Sequence, residues 1–254
     1  MSNYSAFARY YDELTANIDY KKRAEYFSSI IKKYKKTKNN LLLDLACGTG
    51  SISLEMSKLG YDVIGVDNSD EMLGIAIEKK FDSGLPIQFL CQDMRKIDMF
   101  GTIDITICAL DSINHLDGID DIKQTFERVH LFAEPNGLFI FDVNTLHKHR
   151  YILANNTFTY ETENVYCIWE NTLDSDTDEV KMNLEFFEKL KNGLYSRSSD
   201  CFSEKAYSST VIDKILIDCG FDIIATYADD TFEAPNNDTQ RIVYVARAIK
   251  QEEI

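Results

Sequence analysis

From Leu41 onward, short apolar runs alternate with stretches whose apolar residues recur at helical spacing. The runs LLLDLA, DVIGVD, IQFLCQ, IDITICAL and LFIFDVN read as buried strands. Between them, SISLEMSKLG puts Ile52, Met56 and Leu59 on one helical face, and IDDIKQTFERVHLF does the same with Ile119, Ile122, Phe126, Val129 and Phe132. Strands alternating with helices predict a parallel sheet covered by helices on both faces. Such sheets bind ligands at the carboxyl ends of their strands, where the strand order reverses.

The period changes after residue 157. Phe158 and Tyr160, then Val165, Cys167 and Trp169, then Val180, Met182, Leu184 and Phe186 alternate with period two up to about Phe202. That is the pattern of an antiparallel insert with one buried face. In KLKNGLY, Asn192-Gly193 predicts a two-residue hairpin turn with positive φ at both positions. SSTVIDKILIDCG then returns to helical spacing, and FDIIATYA and RIVYVARAI read as a closing antiparallel pair. Ahead of the core, Tyr4 to Tyr34 reads as two helices with aromatic faces, joined to the core through the polar KKTKNN.

Composition narrows the classes. With 44% hydrophobic residues, the 254-residue chain can bury a substantial interior. Its start, MSNYSAFARYYDELTAN, lacks the basic and apolar regions of a secretory signal, and no window reaches the roughly 18–20 apolar residues of a membrane span. A cytoplasmic address with no membrane partner is expected. The six cysteines, 47, 91, 108, 167, 201 and 219, form no C-x-x-C pair and read as reduced thiols, Cys91 and Cys108 inside buried strands; no metal site is expected. A net charge of -15 disfavours nucleic acid, whose binders neutralise phosphates. Lys21 to Lys38, with eight bases and one acid, is the exception and reads as a solvated helix face. Glu161 to Glu179 holds seven acids and no base, the pattern of a solvated edge or of a wall facing a neutral or cationic ligand.

A strand, a glycine turn and a helix meet in LLLDLACGTGSIS. A mononucleotide P-loop needs a lysine after its last glycine, where Ser51 and Ile52 stand here. A dinucleotide turn wants a third glycine or alanine where Ser53 stands, so only two of its three glycines are present, which weakens that reading. The pattern D-x-x-x-G-x-G fits Asp44, Gly48 and Gly50 without a gap. With it come Asp67 ending VIGVDNS, Gln92-Asp93 ending FLCQDM, and ITICALDSINHL. In these four stations the segment from Leu41 to about Asn144 resembles the core of the class I S-adenosylmethionine-dependent methyltransferases.

The resemblance implies S-adenosylmethionine as cofactor. Asp44 would serve its positive end, and Gly48 and Gly50 would let the backbone and the next helix's N–H groups approach its carboxylate. Asp67 would take both ribose hydroxyls, Asp93 the adenine amino group and the Met94 N–H the ring, with Met72 on its face and Ala46, Cys47, Asn68, Gln92 and Leu110 alongside. The implied fold is α/β: a Rossmann-like, seven-stranded, mostly parallel sheet with an N-terminal helical lid and an inserted antiparallel sheet. The lid covers 1–40, the cofactor-binding core 41–150 and 205–254, and the acceptor-side insert 151–204.

YSAFARYYDELTANIDY resembles the lid of a subgroup that includes sugar-amine N-methyltransferases, with Tyr4, Tyr11 and Asp12 in its Y-x-x-x-A-x-x-Y-D pattern. Tyr4 and Tyr11 would close over the methyl group. ALDSIN lacks the Asn or Asp and two prolines of adenine-amino enzymes, and no Pro-Cys pair marks a cytosine enzyme. The expected partner is a small-molecule acceptor with a nitrogen or oxygen nucleophile. Rival readings are a tRNA-linked RNA-modifying enzyme docking through Lys21 to Lys38, a non-catalytic S-adenosylmethionine-binding module, and a nicotinamide dehydrogenase. His115, just past the fourth strand, is the candidate base, because imidazole titrates near neutrality, with Tyr11 as its companion. His147 of the H-x-H pair is a candidate acceptor contact, and His130 reads as a structural helix residue.

Overall fold

The computed structural model describes residues 5–250. Helices α1 (Ser5–Leu14) and α2 (Tyr20–Tyr34) come first. The core follows as β1 (Leu41–Leu45), α3 (Ser51–Lys58), β2 (Asp62–Asp67), α4 (Asp70–Ser83), β3 (Gln88–Cys91), β4 (Ile103–Cys108), α5 (Ile119–Phe132) and β5 (Ala133–Asn144). Then come β6 (Thr157–Glu161), β7 (Val165–Asp174), β8 (Glu179–Lys189) and β9 (Tyr195–Lys205), and finally α6 (Ser209–Asp218), β10 (Phe221–Ala228) and β11 (Arg241–Ala248). Among the described residues one sheet has seven strands in the order β10-β11-β5-β4-β1-β2-β3. In it β11 runs antiparallel to β5 and β10, and the other pairs are parallel. The strand order reverses between β1 and β4, so the carboxyl ends of these two strands flank the crevice where such sheets bind ligands.

Alternation along β1 sorts the core. Leu42 packs with Phe27, Ile30, Met56 and Val245 on the side of α2 and α3, whereas Leu43 and Leu45 join Phe126, Phe141, Leu216 and Tyr244 on the side of α5 and α6. Strands β6 to β9 form a separate antiparallel sheet. Its period-two residues Val165, Cys167, Val180, Met182, Leu184 and Phe186 bury one face against Phe7, Ala8, Tyr10 and Leu14 of α1 and Met72 of α4. Helix α1 is thus packed onto the insert. KKTKNN follows α2, which is itself buried on the core through Phe27, Ile30 and Ile31, so α1 connects through residues 15–19 instead.

Three local expectations are corrected. The Asn192-Gly193 turn has positive φ at Gly193 alone, and Leu190 N–H donates to Leu194 O at 2.8 Å. Three residues therefore close the hairpin, with glycine in the left-handed place such loops require. Cys91 is exposed, because β3 is an edge strand and Cys91 ends it. Arg23, inside the stretch read as solvated, is turned inward to a fully buried carboxylate, Asp142.

Asp142 gathers four donors. Arg23 Nη2 meets it at 2.9 Å and Arg241 Nη1 at 3.1 Å. The N–H groups of Leu110 and Asp111 donate to it at 2.9 and 2.7 Å. Leu110 and Asp111 have φ of 59° and 55°, a left-handed pair that costs about 1–3 kcal/mol per residue unless its surroundings enforce it. Arg241 Nη2 also reaches Asp111 Oδ2 at 3.1 Å, and Asn144 donates to the same oxygen. The chain leaving β4 is thereby fixed to β5, β11 and α2.

Candidate active site

Three residues of the turn after β1 have left-handed φ: Ala46, Gly48 and Gly50, at 58°, 53° and 73°. The two glycines do different work. A Cβ on Gly48 would meet nothing within 4 Å, so that position opens onto space. A Cβ on Gly50 would lie 2.9 Å from the Phe89 ring and 3.0 Å from Ala76 Cβ, so this glycine serves packing behind the turn rather than ligand approach. Gly48 N–H donates to Asp67 Oδ2 at 2.8 Å and Ser69 N–H to Oδ1 at 2.9 Å, locking the acid at the tip of β2 to the turn. Burial raises the Asp67 carboxyl above its ordinary range, and those N–H bonds oppose the rise.

Asp44 is buried with Ser53 Oγ donating to it at 2.5 Å. The serine that departs from a dinucleotide turn is thus the anchor of this acid. Burial pushes the Asp44 carboxyl up to about 7, against the Ser53 bond and with the Asp67 charge adding to it. The first N–H groups of α3, which begins at Ser51, have no partner within the helix.

At the end of β3, Asp93 accepts from Arg95 Nε at 2.9 and 3.0 Å and from Nη2 at 2.6 Å, and Arg95 Nη1 also meets Asp121 at 2.8 Å. These bonds hold the Asp93 carboxyl below its usual range. Gln92 turns its amide to Asp98, donating to its O at 3.2 Å and accepting its N–H at 2.7 Å, and so braces the next turn. Asp44, Ala46, Cys47, Gly48, Asp67, Asn68, Met72, Gln92, Asp93, Met94 and Leu110 all line one cavity of about 650 Å³, of a size that suits a small ligand.

Residues 42–137 match the model of the methyltransferase domain. YqeM of Bacillus subtilis (strain 168), named as a methyltransferase, is 32% identical over 249 residues, 97% of this chain and 98% of that protein. The crystal structure of an S-adenosylmethionine-dependent methyltransferase from Clostridium acetobutylicum ATCC 824 matches with a TM-score of 0.85 and 31% identity, over 98% of this chain and all of the other. The chain belongs to the class I S-adenosylmethionine-dependent methyltransferases. S-Adenosylmethionine is its cofactor, and the open Gly48 cradle, the buried Asp44 and the half-buried Asp67 suit that ligand. The sugar N-methyltransferase KedS8 from Streptoalloteichus sp ATCC 53650 shares the fold, with a TM-score of 0.75 at 16% identity over 94% and 93% of the two chains.

The methyltransferase roofs its cavity with α1. Asp12 accepts from Thr49 Oγ1 at 2.8 Å and meets Lys79 Nζ at 2.5 Å, while Lys79 donates to Ser51 Oγ at 2.9 Å, so the roof is latched to the glycine turn. Tyr11 lines the cavity beneath, its hydroxyl pushed well above its ordinary value by burial, then by Tyr20 and Asp111; at neutral pH it is a phenol that donates. Tyr4 lies outside the described residues. Phe7, Tyr160, Trp169 and Phe202 form an aromatic wall, with Phe202 6.1 Å from Trp169 and 5.5 Å from Phe7 between ring centres. Trp169 is the one cavity residue of the stretch Glu161 to Glu179; none of its seven acids lines the cavity, and most of them are exposed.

His115 lies in the cavity wall, as expected, with Nε2 3.5 Å from Glu204 Oε1. His147 is not a lining residue; it faces Asp238 at 3.9 Å and its ring lies 5.1 Å from Tyr151. Residues two apart on a helical turn point to nearly opposite sides, so in Lys148–Leu153 it is His149 that turns in, with Nε2 3.6 Å from Glu204 Oε2. Asn144 Nδ2 donates to Glu204 at 2.9 Å. Burial would raise the Glu204 carboxyl, but the imidazoles of His149 and His115 and the Asn144 bond outweigh it and bring it down to about 2. Lys148 also lines the cavity, donates to Asn144 Oδ1 at 2.8 Å, and is pushed below the usual lysine range by burial. Glu204, Lys148, Asp111 and Arg241 were not legible as site residues, since each alone reads as an ordinary surface charge.

The glycines give an expected contrast. Gly50→Ala should lower stability by about 1–3 kcal/mol through overpacking, seen in denaturant unfolding. Gly48→Ala should cost only the left-handed φ, about 1 kcal/mol, yet weaken S-adenosylhomocysteine binding at least tenfold by calorimetry. Equal binding by Gly48→Ala and wild type would place the ligand elsewhere.

Proposed function

We propose that this methyltransferase methylates a nitrogen or oxygen of a small molecule held between α1, the insert sheet and the turn at Ser112–His115. The observation that carries the reading is the roof. One cavity runs from Asp44 and Asp67 to His115 and Glu204, beneath a helix latched to the glycine turn by Asp12. A net charge of -15 supports a small acceptor over a nucleic acid.

When bound, S-adenosylmethionine supplies the methyl group as a sulfonium substituent. Asp44 holds the cofactor's ammonium, and the first N–H groups of α3 with the open Gly48 receive its carboxylate. Asp67, fixed by two N–H donors, offers its remaining lone pairs to the ribose hydroxyls. Asp93, kept ionised by Arg95, and the Met94 N–H face the base, with Met72 and Leu110 on its sides. Across the cavity the aromatic wall seats the acceptor's body, so the main contribution to rate is alignment. His115 takes the proton that the nucleophile loses, and Tyr11 orients the acceptor as a hydrogen-bond donor.

The Asp44 carboxyl carries a proton below about 7 in the free protein. An ammonium beside it favours the carboxylate, so binding expels that proton. Affinity for S-adenosylhomocysteine should therefore fall as pH drops below 7, by up to about tenfold per unit, and level off above it. In Asp44→Asn the binding should be weaker and this slope absent. The same slope in both proteins, measured by calorimetry, would remove Asp44 from the ammonium site.

The acceptor class is tested by following S-adenosylhomocysteine release over a panel of amines, amino sugars and phenols. Turnover is expected on at least one member, and turnover confined to RNA would overturn the reading. On that acceptor His115→Ala should reduce turnover by about 10²–10⁴-fold with cofactor affinity unchanged. The loss should shrink as pH rises and the acceptor deprotonates unaided. Turnover near that of the wild type would leave His115 a structural residue.

A further inference from the structure

We infer that Glu204, on β9 of the insert, is the positioning residue of His115, and that Asn144 clamps it in that task. The inference rests on the reading of His115 as the base. The carboxylate is only 5% exposed. It stands between two imidazoles, with Oε1 3.5 Å from His115 Nε2 and Oε2 3.6 Å from His149 Nε2. Asn144 Nδ2 donates to Oε2 at 2.9 Å. His149 is buried, and its Nδ1 donates to the carbonyl of Asp178 at 2.9 Å, which fixes the ring from behind. The other charges facing Glu204 are Lys148 on the turn after β5 and Arg241 on β11.

A buried carboxylate without a full cation partner costs free energy, so a protein that keeps one gains something from it. Here the gain is orientation. A carboxylate opposite Nε2 favours the tautomer that carries its proton there and puts the lone pair on Nδ1, the nitrogen then able to act as base. When the acceptor's N–H or O–H bond breaks, the electron pair stays on the acceptor and the proton goes to Nδ1. The imidazolium formed is then stabilised by Glu204 through Nε2–H. The 3.5 Å separation is long for a hydrogen bond, as catalytic contacts commonly are before the reacting complex forms. Glu204 also makes the base depend on the insert: β9 supplies the acid, the turn after β4 the histidine and β5 the asparagine.

The test uses the full chain saturated with S-adenosylhomocysteine and nitrogen-15 NMR of its histidines. In the wild type His115 should show a protonated Nε2 and an acceptor Nδ1, with an Nε2 proton slow to exchange with water. In Glu204→Gln that proton should exchange at least tenfold faster, and Glu204→Asp should recover part of the protection. S-Adenosylhomocysteine affinity reports folding and should stay within twofold in every variant. On an acceptor from the panel, Glu204→Gln should lower kcat at least tenfold with KM little changed, and added to His115→Ala it should cost nothing more, because both remove one unit. Unchanged exchange and tautomer at His115 in Glu204→Gln, or losses that multiply in the double variant, would overturn the assignment. If the wild type fails to bind S-adenosylhomocysteine, the reading of the cavity fails first. Binding with an indifferent His115 sinks the role of Glu204 alone.

Discussion

The carboxylate of Asp142 is the point on which the architecture of this methyltransferase turns. It is fully buried and takes donors from α2, from β11 and from the two residues that follow β4. Burying a charge is costly unless its hydrogen bonds are complete, and here two guanidinium groups and two backbone N–H groups complete them. What the arrangement secures is the left-handed pair Leu110 and Asp111. That pair bends the chain out of the sheet so that the next turn, carrying His115, forms one wall of the cavity. Without the carboxylate, only the bonds of Arg241 and Asn144 to the Asp111 side chain would remain to hold the strain of two left-handed non-glycine residues.

The same economy of few, buried polar contacts links the two halves of the site. On the cofactor side Asp67 is tied to the glycine turn and Asp44 to Ser53, so the backbone that receives the ligand is shaped by its own acids. On the acceptor side Glu204 joins the insert to the core through Asn144 and the two histidines. Asp12 closes the circle by reaching from α1 to Thr49 and Lys79. Core, roof and insert therefore meet around one cavity, lined by Asp44 and Asp67 of the core, Tyr11 of the roof and Glu204 of the insert. A ligand that fills it touches all three.

Much of this was legible in the residues, and the reasons differ by element. DVIGVD coincides with β2 and IDDIKQTFERVHLF with α5, because a buried strand and an amphipathic helix each carry their own periodicity. The insert was readable for the same cause: Val180, Met182, Leu184 and Phe186 alternate without a break. That Asp44, Gly48 and Asp67 would meet at one cavity was readable because a turn and a strand tip are local structures. Helix α4 was not singled out, since its buried residues are few and its boundaries rest on the Ser69 cap and Gly84. Asp142, Arg23, Arg241 and Glu204 stayed hidden for a different reason. They lie on elements as far apart in sequence as α2 and β11, and only the topology makes them neighbours. The packing role of Gly50 was not legible, because the Phe89 ring behind it comes from β3, which the turn's own sequence does not report.

The most direct measurement is the unfolding free energy of Asp142→Asn, which keeps the shape of the side chain and removes its charge, set beside Asp229→Asn. Asp229 also touches Arg23, but its side chain is 41% exposed, and its loss should cost no more than about 1 kcal/mol. Asp142→Asn leaves two buried guanidinium groups short of a partner and should cost about 3–5 kcal/mol. An Asp142→Asn protein as stable as the wild type, or no less stable than Asp229→Asn, would show that the turn carrying His115 is held by something else.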